Sequence, residues 1–429
     1  MKSPAVSKFV LAFAATISLG TSTAAFADDP VVLTFATVGD SRQDPITLDP
    51  SQVAQGGVTA QDAKWLQNTK AWSRIMRTIS SHKANLLFFN GDMVMGYGNG
   101  TDLTPYKTTN VGGVWTPANL PSGLTTDTTD FYAQYAFWRG MVANMFETGT
   151  YVVPVPGNHE TQCKNCTPAK TAQPGNEAIW RDNMVDLILD TNRLLSVTGA
   201  SASDLYYDPN NYPQIGDKLA NTEPAKTYST SQYGLSYSFD FKGSHFAIVN
   251  TDAVGVDGRA PAVWLAADFA AAKARNPNVK LFVFGHKPAY TYKYMDYTKT
   301  PPVAITKLAG IDATTAKCTN PADGSVATTA TACNRDEFWS VIETNHATYF
   351  SGHEHIFNIQ QPLGGSYQVL VGSGGSPFET SVTTNNPNDR KYAWAEVRIY
   401  QSGKVQVTAY GFDENYNATT VLNNFYLPY

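Results

Sequence analysis

Several short apolar runs in this chain end in glycine, and each is followed by a metal-binding type of residue. Short apolar runs bounded by turn residues predict buried strands, and glycine permits a sharp turn after them. In open α/β sheets, ligands bind beyond the carboxyl ends of the strands. The pattern therefore predicts one rim that carries Gly39-Asp40, Gly91-Asp92, Gly157-Asn158-His159-Glu160, Gly285-His286 and Gly352-His353-Glu354-His355.

Between these runs, apolar residues recur at helical spacing. Segments 131–146, 179–195 and 264–274 show the pattern, and its clearest apolar face is formed by Trp65, Trp72, Ile75, Met76 and Ile79. Alternation of strands with helices is typical of an α/β sheet. From Tyr233 onward strand-like patterns dominate, with a hairpin predicted around Lys242-Gly243. We predict two sheets packed face to face, with helices outside them.

Three long segments fit neither pattern: about 96–130, 161–232 apart from its helix, and 291–336. They are rich in Gly, Thr, Asn, Pro and Tyr. Loops this long are usually functional or disordered, and each of these follows a predicted strand end that carries ligands. Since no internal repeat or linker interrupts the chain, we predict one catalytic domain over residues 28–429 with these insertions around the mouth of its site.

The first residues, 1–27, resemble a secretory signal peptide. Lys2 and Lys8 precede an apolar run from Phe9 to Leu19, and Ala25-Phe26-Ala27 fits a cleavage site. A membrane anchor is the alternative, but the run is too short to cross a bilayer. We therefore expect a secreted or periplasmic protein with no membrane anchor.

Charge and cysteine content narrow the class of protein further. The net charge of −5 gives no basic surface, which argues against nucleic acid as a bulk partner. In an exported chain the four cysteines favour disulfides over redox chemistry. The simplest pairing is Cys163–Cys166 and Cys318–Cys333, although spacing alone leaves the connectivity open and a four-cysteine zinc site is the alternative.

The residue types at the predicted rim suit a pair of metal ions. Aspartate, asparagine and histidine together offer hard oxygens and imidazoles for two divalent or trivalent cations. Such a pair is well suited to phosphoester hydrolysis. His353 and His355 alternate along a segment predicted to be extended, so both are expected to point to one face.

These motifs, in this order, resemble the calcineurin-like metallophosphoesterases, on the side of the purple acid phosphatases. The similarity runs from about Leu33 to about Tyr410. It includes Tyr237-Ser238-Phe239-Asp240 and the turn Gly372-Ser373-Gly374-Gly375. The resemblance implies a four-layer α/β/β/α sandwich of two packed mixed sheets flanked by helices.

The resemblance also implies roles for the rim residues. Asp92 would bridge two ions of Fe, Mn or Zn. The first ion would take Asp40, Asp92 and His355, and the second would take Asp92, Asn158, His286 and His353. His159 would protonate the leaving group or steady the phosphate, and metal-bound water with a pKa near ~7 would be the nucleophile.

The sequence departs from the family pattern at the first metal. The family's Asp-x-His is here Asp40-Ser41-Arg42, and the tyrosine of the purple enzymes is replaced by Met95. The first site is therefore one ligand short, and no purple colour is expected. Because a guanidinium can fork onto phosphate, we expect Arg42 to bind substrate phosphate together with Asn158 and His159. Pairing of Arg42 with a carboxylate such as Asp44 is the alternative.

The function predicted from the sequence is hydrolysis of a small phosphoester outside the cytoplasm. A phosphomonoester, as in acid phosphatases, is the first expectation. A phosphodiesterase or nucleotidase built on the same metal core is the alternative within the enzyme class. From another class, the incomplete first motif leaves open a non-catalytic binding protein on a decayed enzyme fold.

Overall fold

A computed structural model describes most of the chain downstream of the predicted signal peptide, and the peptide itself lies outside the described residues. The described ranges are 29–43, 61–96, 108–111, 114–117, 127–163, 166–188, 190–223, 225–291, 293–296, 303–306, 310–312, 333–378 and 390–429. Within these ranges, none of the helices combines the length and the apolar character needed to traverse a bilayer.

The elements alternate between strands and helices in the first two thirds of the chain. The helices are α1 Gln61–Ser81, α2 Asp127–Glu147, α3 Asn158–Thr161, α4 Pro174–Ile188, α5 Thr191–Thr198, α6 Ala262–Arg275 and α7 Asn334–Thr344. The strands are β1 Val31–Val38, β2 Leu86–Asn90, β3 Thr108–Val111, β4 Val114–Pro117, β5 Tyr151–Val155, β6 Gln162–Cys163, β7 Thr171–Ala172, β8 Leu205–Tyr207, β9 Tyr237–Phe241, β10 Ser244–Val249, β11 Lys280–Gly285, β12 Lys293–Asp296, β13 Val303–Thr306, β14 Thr348–Ser351, β15 Phe357–Gln360, β16 Gln368–Val371, β17 Tyr392–Tyr400, β18 Val405–Phe412 and β19 Thr420–Tyr426.

Two large mixed sheets form the centre of the fold. The first has the order β19-β18-β17-β1-β2-β5, in which β1, β2 and β5 are parallel. The second has the order β15-β16-β14-β11-β10-β9-β8, with β10, β11, β14 and β16 parallel. Each sheet thus has a parallel set whose carboxyl ends lie at one edge.

Phenylalanines fill the space between the sheets. Phe88 of the first sheet stacks on Phe284 of the second, with ring centroids 3.8 Å apart, and Phe35 meets Phe282 edge-on at 5.0 Å. Strand side chains alternate between faces. Phe89, next to Phe88, accordingly points to the other face and meets Trp72 of α1 and Trp138 of α2.

Helices cover the outer face of each sheet. Residues of α1, α2 and α4 pack in the same buried cluster as the first sheet. On the second sheet, Leu265 and Phe269 of α6 and Trp339 of α7 bury the outward residues Leu281 and Val283 of β11. The four-layer α/β/β/α arrangement predicted from the sequence is therefore confirmed, as is the hairpin around Lys242-Gly243.

The segments predicted as loops contain regular structure. Short antiparallel pairs lie within them: β3 with β4, β6 with β7, and β12 with β13. The helical pattern over 179–195 is divided into α4 and α5. The division occurs because Asp190 caps the second helix, accepting a hydrogen bond from the Arg193 backbone N–H at 2.7 Å.

Candidate metal centre

Strands of both sheets end at one rim, as the glycine pattern predicts. Strand β1 pairs with β2 in parallel register, Val38 opposite Phe89, and β2 with β5, Asn90 opposite Val155. The ends of the first sheet therefore lie side by side. The second sheet joins this rim, since the His286 ring nitrogen Nδ1 lies 2.7 Å from the Asn90 carbonyl oxygen.

One group of ligand atoms converges on His286. Its Nε2 lies 2.9 Å from Asn158 Oδ1, 3.1 Å from Asp92 Oδ1 and 3.1 Å from His353 Nδ1. Ligands about 2.1 Å from one ion stand roughly 3 Å from each other, so these separations match a shared metal. The Nδ1–H of His286 donates to the Asn90 carbonyl, which orients Nε2 toward the group.

A second group shares Asp92 and adds Asp40 and His355. Their ligand atoms all lie within 4.8 Å of one another. His355 Nδ1 lies 2.7 Å from the carbonyl oxygen of Pro377, so its Nε2 lone pair is the one turned toward Asp40 Oδ1, 3.6 Å away. Both of these atoms are buried without a hydrogen-bond partner among the described residues. Two orphaned buried acceptors are costly unless a cation lies between them, so the residues fit a metal ion.

The site concentrates unusual backbone conformations. Asp40, Arg42, Asp92 and His353 all have positive φ, at 64°, 44°, 52° and 73°. Such values are uncommon for residues other than glycine and cluster at functional sites. Among the described residues, much of the free-energy cost of positive φ therefore lies in the turns that carry the ligands.

Glycine is required where two of these turns touch. A Cβ on Gly352 would lie 2.3 Å from Asp40 Oδ2, and one on Gly157 would lie 2.6 Å from Asp92 Oδ1. Any side chain there would displace a ligand carboxylate. The glycines that ended the predicted strands thus permit the close approach of one turn to the next.

The two histidines of the last motif do not lie on an extended segment. Strand β14 ends at Ser351, and His353 follows in a left-handed conformation with its N–H donating to Asp40 Oδ2 at 2.9 Å. The expectation that His353 and His355 point to one face by strand alternation is therefore wrong. The bend instead sends His353 to the group around His286 and His355 to the group around Asp40.

Glu160 holds the bridging aspartate in place. Its carboxylate accepts hydrogen bonds from four backbone N–H groups: Asp92 at 2.8 Å, Met93 at 2.8 Å, Val94 at 3.2 Å and Gly157 at 2.7 Å. It thereby fixes the turn after β2 against the turn after β5. Its place directly after His159 in the motif was the only sequence signal for this role.

A turn of the second sheet supports the other side. The Ser376 N–H donates to the Asp40 carbonyl at 2.9 Å, the Gly374 N–H donates to the Gly39 carbonyl at 2.8 Å, and Pro377 holds the His355 ring. These contacts come from the turn Gly372-Ser373-Gly374-Gly375 and from the two residues that follow it. They link the first-sheet ligand Asp40 to the second-sheet ligand His355.

His159 lies beside the shared aspartate. Its backbone N–H donates to Asp92 Oδ1 at 3.1 Å, and its ring Nε2 lies 3.6 Å from Asp92 Oδ2. The ring Nδ1–H donates to the Met95 carbonyl, so Nε2 faces the carboxylate. Burial, and then the Arg42 guanidinium, lower the pKa of His159 to about 3. In this state the ring is neutral, and its Nε2 lone pair faces Asp92.

Arg42 forks onto the same carboxylate. Its Nη2 and Nε lie 3.1 Å and 3.3 Å from Asp92 Oδ2. The Arg42 side chain remains 21% exposed, whereas Asp92 is fully buried. Asp44, the alternative partner considered from the sequence, lies outside the described residues. The structure thus places Arg42 among the predicted ligands, in contact with the carboxylate common to both groups.

The charged groups of the site shift one another's pKa values. Burial acts to raise the pKa of Asp92, but His159 and His286 hold it well below its usual range. Burial acts to lower the pKa of His286, and Asp92 raises it to about 9. Burial also raises the pKa of Asp40 well above its usual range. A metal ion at this place would take the position of the His286 proton.

A neighbouring network was not predicted from the sequence. Lys287 pairs with Asp252, which follows β10 at the same rim, and Gln162 Nε2 donates to that carboxylate at 3.0 Å. The Cys163–Cys166 disulfide, predicted as the simplest pairing, closes the adjacent loop. Cys333 is also disulfide-bonded, while Cys318 lies outside the described residues. These contacts tie the loop after His159 to the end of β11.

No protein-family model and no curated protein matches the chain. Two solved structures resemble it over most of its length. A dimetal phosphatase from Danio rerio is 11% identical, with a TM-score of 0.43, over 93% of this chain and 100% of that one. A putative 5'-nucleotidase from Staphylococcus aureus, in complex with alpha-ketoglutarate, is 10% identical, with a TM-score of 0.36, over 92% of this chain and 54% of that one. Because these scores are low, the residue roles rest on the geometry above.

Proposed function

We propose that this chain hydrolyses phosphomonoesters at a dinuclear metal centre. The observation that carries the proposal is the pair of ligand groups that share Asp92. The first group would hold one ion through Asp40, Asp92 and His355, and the second would hold another through Asp92, Asn158, His286 and His353. When bound, such a pair supplies a nucleophile from water at neutral pH and neutralises phosphate charge.

The remaining residues position and protonate the substrate. The Arg42 side chain is 21% exposed beside the buried Asp92, and its planar fork would bind two phosphate oxygens. Asn158, whose Oδ1 lies 2.9 Å from His286 Nε2, would bind phosphate through its amide group. His159 is held by the Met95 carbonyl with Nε2 directed inward. An incoming phosphate adds negative charge beside this ring and favours the imidazolium, which can then donate its Nε2 proton to the leaving oxygen.

The test combines metal content with two chromogenic substrates. Gently purified protein should contain a transition metal, and it should hydrolyse p-nitrophenyl phosphate faster than bis-p-nitrophenyl phosphate. Asp92→Asn should remove both metal and activity, while His82→Ala, at the far end of α1, should change neither. Faster diester cleavage would favour the phosphodiesterase alternative. Protein without metal, and inactive after addition of Mn, Fe or Zn, would favour the non-catalytic alternative.

Export is the second part of the proposal. Its support is the basic and apolar start of the chain, together with the Cys163–Cys166 disulfide, since disulfides persist in oxidising compartments. Expression of the full chain in a bacterial host, followed by fractionation, tests it. The mature protein should be recovered outside the cytoplasm with an amino terminus near Asp28. An intact amino terminus in the cytoplasmic fraction would contradict it.

A further inference from the structure

The geometry points to a second role for Arg42: it couples occupancy of the first metal group to binding of a phosphate dianion. This inference rests on the proposed function and deepens it. It assigns the substrate class as esters with a doubly charged terminal phosphate. It also explains how a chain that lacks one expected ligand of the first ion can still form a dinuclear centre.

The two oxygens of the shared carboxylate have different partners. Asp92 Oδ1 lies 3.1 Å from His286 Nε2 of the second group, and the guanidinium of Arg42 contacts the other oxygen, Oδ2, through both Nη2 and Nε. A guanidinium carries one positive charge, cannot be deprotonated and cannot ligate a metal. In the absence of an ion, Arg42 therefore neutralises the oxygen that the first ion requires.

The other ligands of the first group present buried acceptor atoms. Asp40 Oδ1 and His355 Nε2 are buried acceptors without a hydrogen-bond partner among the described residues. The guanidinium satisfies Asp92 but leaves these two atoms unmet. The first group is thus a partly formed cation site. Two of its ligand atoms have no hydrogen-bond partner among the described residues, and the third, Asp92 Oδ2, is paired with Arg42.

Repulsion between positive charges would oppose binding of the first ion. An ion in the first group would stand close to the ion in the second group and to Arg42, and three cations repel one another in a buried site. An anion placed among them removes this penalty. A dianion offsets more of the charge than a monoanion, and a phosphate has the oxygens to accept the fork of Arg42 once that fork leaves Asp92.

The backbone determines which part can move. Arg42 is held by its N–H to the Asp92 carbonyl at 2.9 Å, and the neighbouring Ser41 Oγ donates to the Met93 carbonyl at 3.1 Å. The main chain is fixed on both sides, whereas the Arg42 side chain retains 21% exposure. Transfer from Asp92 to phosphate would therefore come from rotation of the side chain rather than from movement of the main chain.

The experiment is a titration of the metal-free full chain with Mn²⁺. Calorimetry measures the binding, and the exchange-coupled electron paramagnetic resonance signal reports the formation of a manganese pair. Wild type should bind one Mn²⁺ tightly and a second about ten-fold more weakly, within the usual range of coupling between sites. Inorganic phosphate should tighten the second ion and produce the pair signal. Dimethyl phosphate, a monoanion, should do so far less.

Variants separate the role of Arg42 from general metal binding. Without phosphate, Arg42→Ala should bind the second Mn²⁺ about ten-fold more tightly than wild type, and the effect of phosphate should shrink. Arg42→Lys, which keeps the charge but loses the fork, should resemble Arg42→Ala in phosphate affinity. Arg275→Ala is the control, because this arginine lies at the end of α6, away from the rim, and pairs with Asp240.

The outcomes distinguish this inference from the proposed function. If Arg42→Ala and wild type share the same second affinity and the same response to phosphate, the coupling role is wrong while the dinuclear centre stands. Equal effects of phosphate and dimethyl phosphate would also overturn the preference for a dianion. If wild type binds no Mn²⁺ at all, the proposed function itself fails.

Discussion

At the scale of single residues, His159 provides the sharpest test of chemistry. Poor leaving groups need a proton in the transition state, and p-nitrophenolate does not. We expect His159→Ala to lose about 10²–10⁴-fold in kcat on an alkyl phosphate and clearly less on p-nitrophenyl phosphate. His82→Ala, whose histidine pairs with Glu396 away from the rim, should match wild type on both substrates. Equal losses of His159→Ala on the two substrates would assign this residue to phosphate binding or to the metal site.

Glu160 should act through position rather than through chemistry. Glu160→Gln replaces an acceptor oxygen with an amide donor that faces backbone N–H groups. Each buried donor left unsatisfied costs about 1–3 kcal/mol. We expect the free energy of unfolding of the metal-free chain to fall by roughly 2–4 kcal/mol in urea denaturation, together with weaker Mn²⁺ binding. Glu337→Gln is the matched control, since that carboxylate also accepts from two backbone N–H groups but at the exposed start of α7. A similar loss in both variants would argue against a special role for Glu160.

Several site residues could be predicted from the sequence because glycine marks the strand ends. Four ligands directly follow such an end: Asp40, Asp92, Asn158 and His286. The pattern of strands that end in glycine is therefore sufficient to predict that they share one rim. His353 is different, because its left-handed backbone is set by the contact of its N–H with Asp40, a partner far away in sequence. Local alternation could not reveal that contact. The fork of Arg42 onto Asp92 likewise depends on two turns meeting in space.

At the scale of elements, a buried histidine ties the hairpin β9–β10 to helix α6. His245 Nδ1 lies 2.6 Å from Asp240 Oδ1, and its Nε2 lies 2.8 Å from Asp268 Oδ2. Burial acts to lower the pKa of His245, but the hydrogen bonds to Asp240 and Asp268 raise it to about 9. His245 therefore binds its proton more tightly in the folded chain than in the unfolded chain, where the pKa of histidine is near 6.5.

This shift gives stability a defined pH dependence. The contribution of His245 is fully present below about pH 6.5 and is lost as the pH rises through about 9, with a total on the order of 3 kcal/mol. We expect the urea midpoint of the metal-free chain to fall between pH 6.5 and pH 9. In His245→Gln, which cannot titrate, that fall should shrink by the share of His245, while His286, whose pKa is also raised to about 9, still contributes the rest. An identical pH profile in the variant would show that other groups cause the decline.

Helix bounds could be predicted from the sequence where one helix face is apolar. They were harder to predict where a capping residue ends one helix and begins the next. The pattern over 264–274 coincides with α6 because Leu265 and Phe269 repeat at helical spacing against the second sheet. The pattern over 179–195 did not show the break before α5, since a capping aspartate resembles any polar helix residue in sequence. The short hairpin pairs β3–β4 and β12–β13 lie in segments whose composition resembles loops.

At the scale of the whole molecule, metal removal should lower stability. Ligands that bind only the folded state stabilise it by mass action, by about 4 kcal/mol at a thousand times Kd. We expect a chelator to lower the midpoint of thermal unfolding of the wild type and added Mn²⁺ to restore it. Asp92→Asn, which loses the carboxylate common to both groups, should show little response to either treatment. A chelator response in that variant equal to the wild-type response would locate the stabilising ion elsewhere.

The division of the ligands between the sheets has a consequence for assembly. Asp40, Asp92 and Asn158 come from the first sheet, whereas His286, His353 and His355 come from the second. Neither half of the sandwich holds a full ligand set, so a nascent chain that has formed only the parallel strands β1, β2 and β5 has little means of retaining an ion. Metal uptake should therefore be among the last events of maturation, after the phenylalanines between the layers have joined. A cell that makes this protein would need metal wherever the finished fold is reached, rather than where synthesis begins.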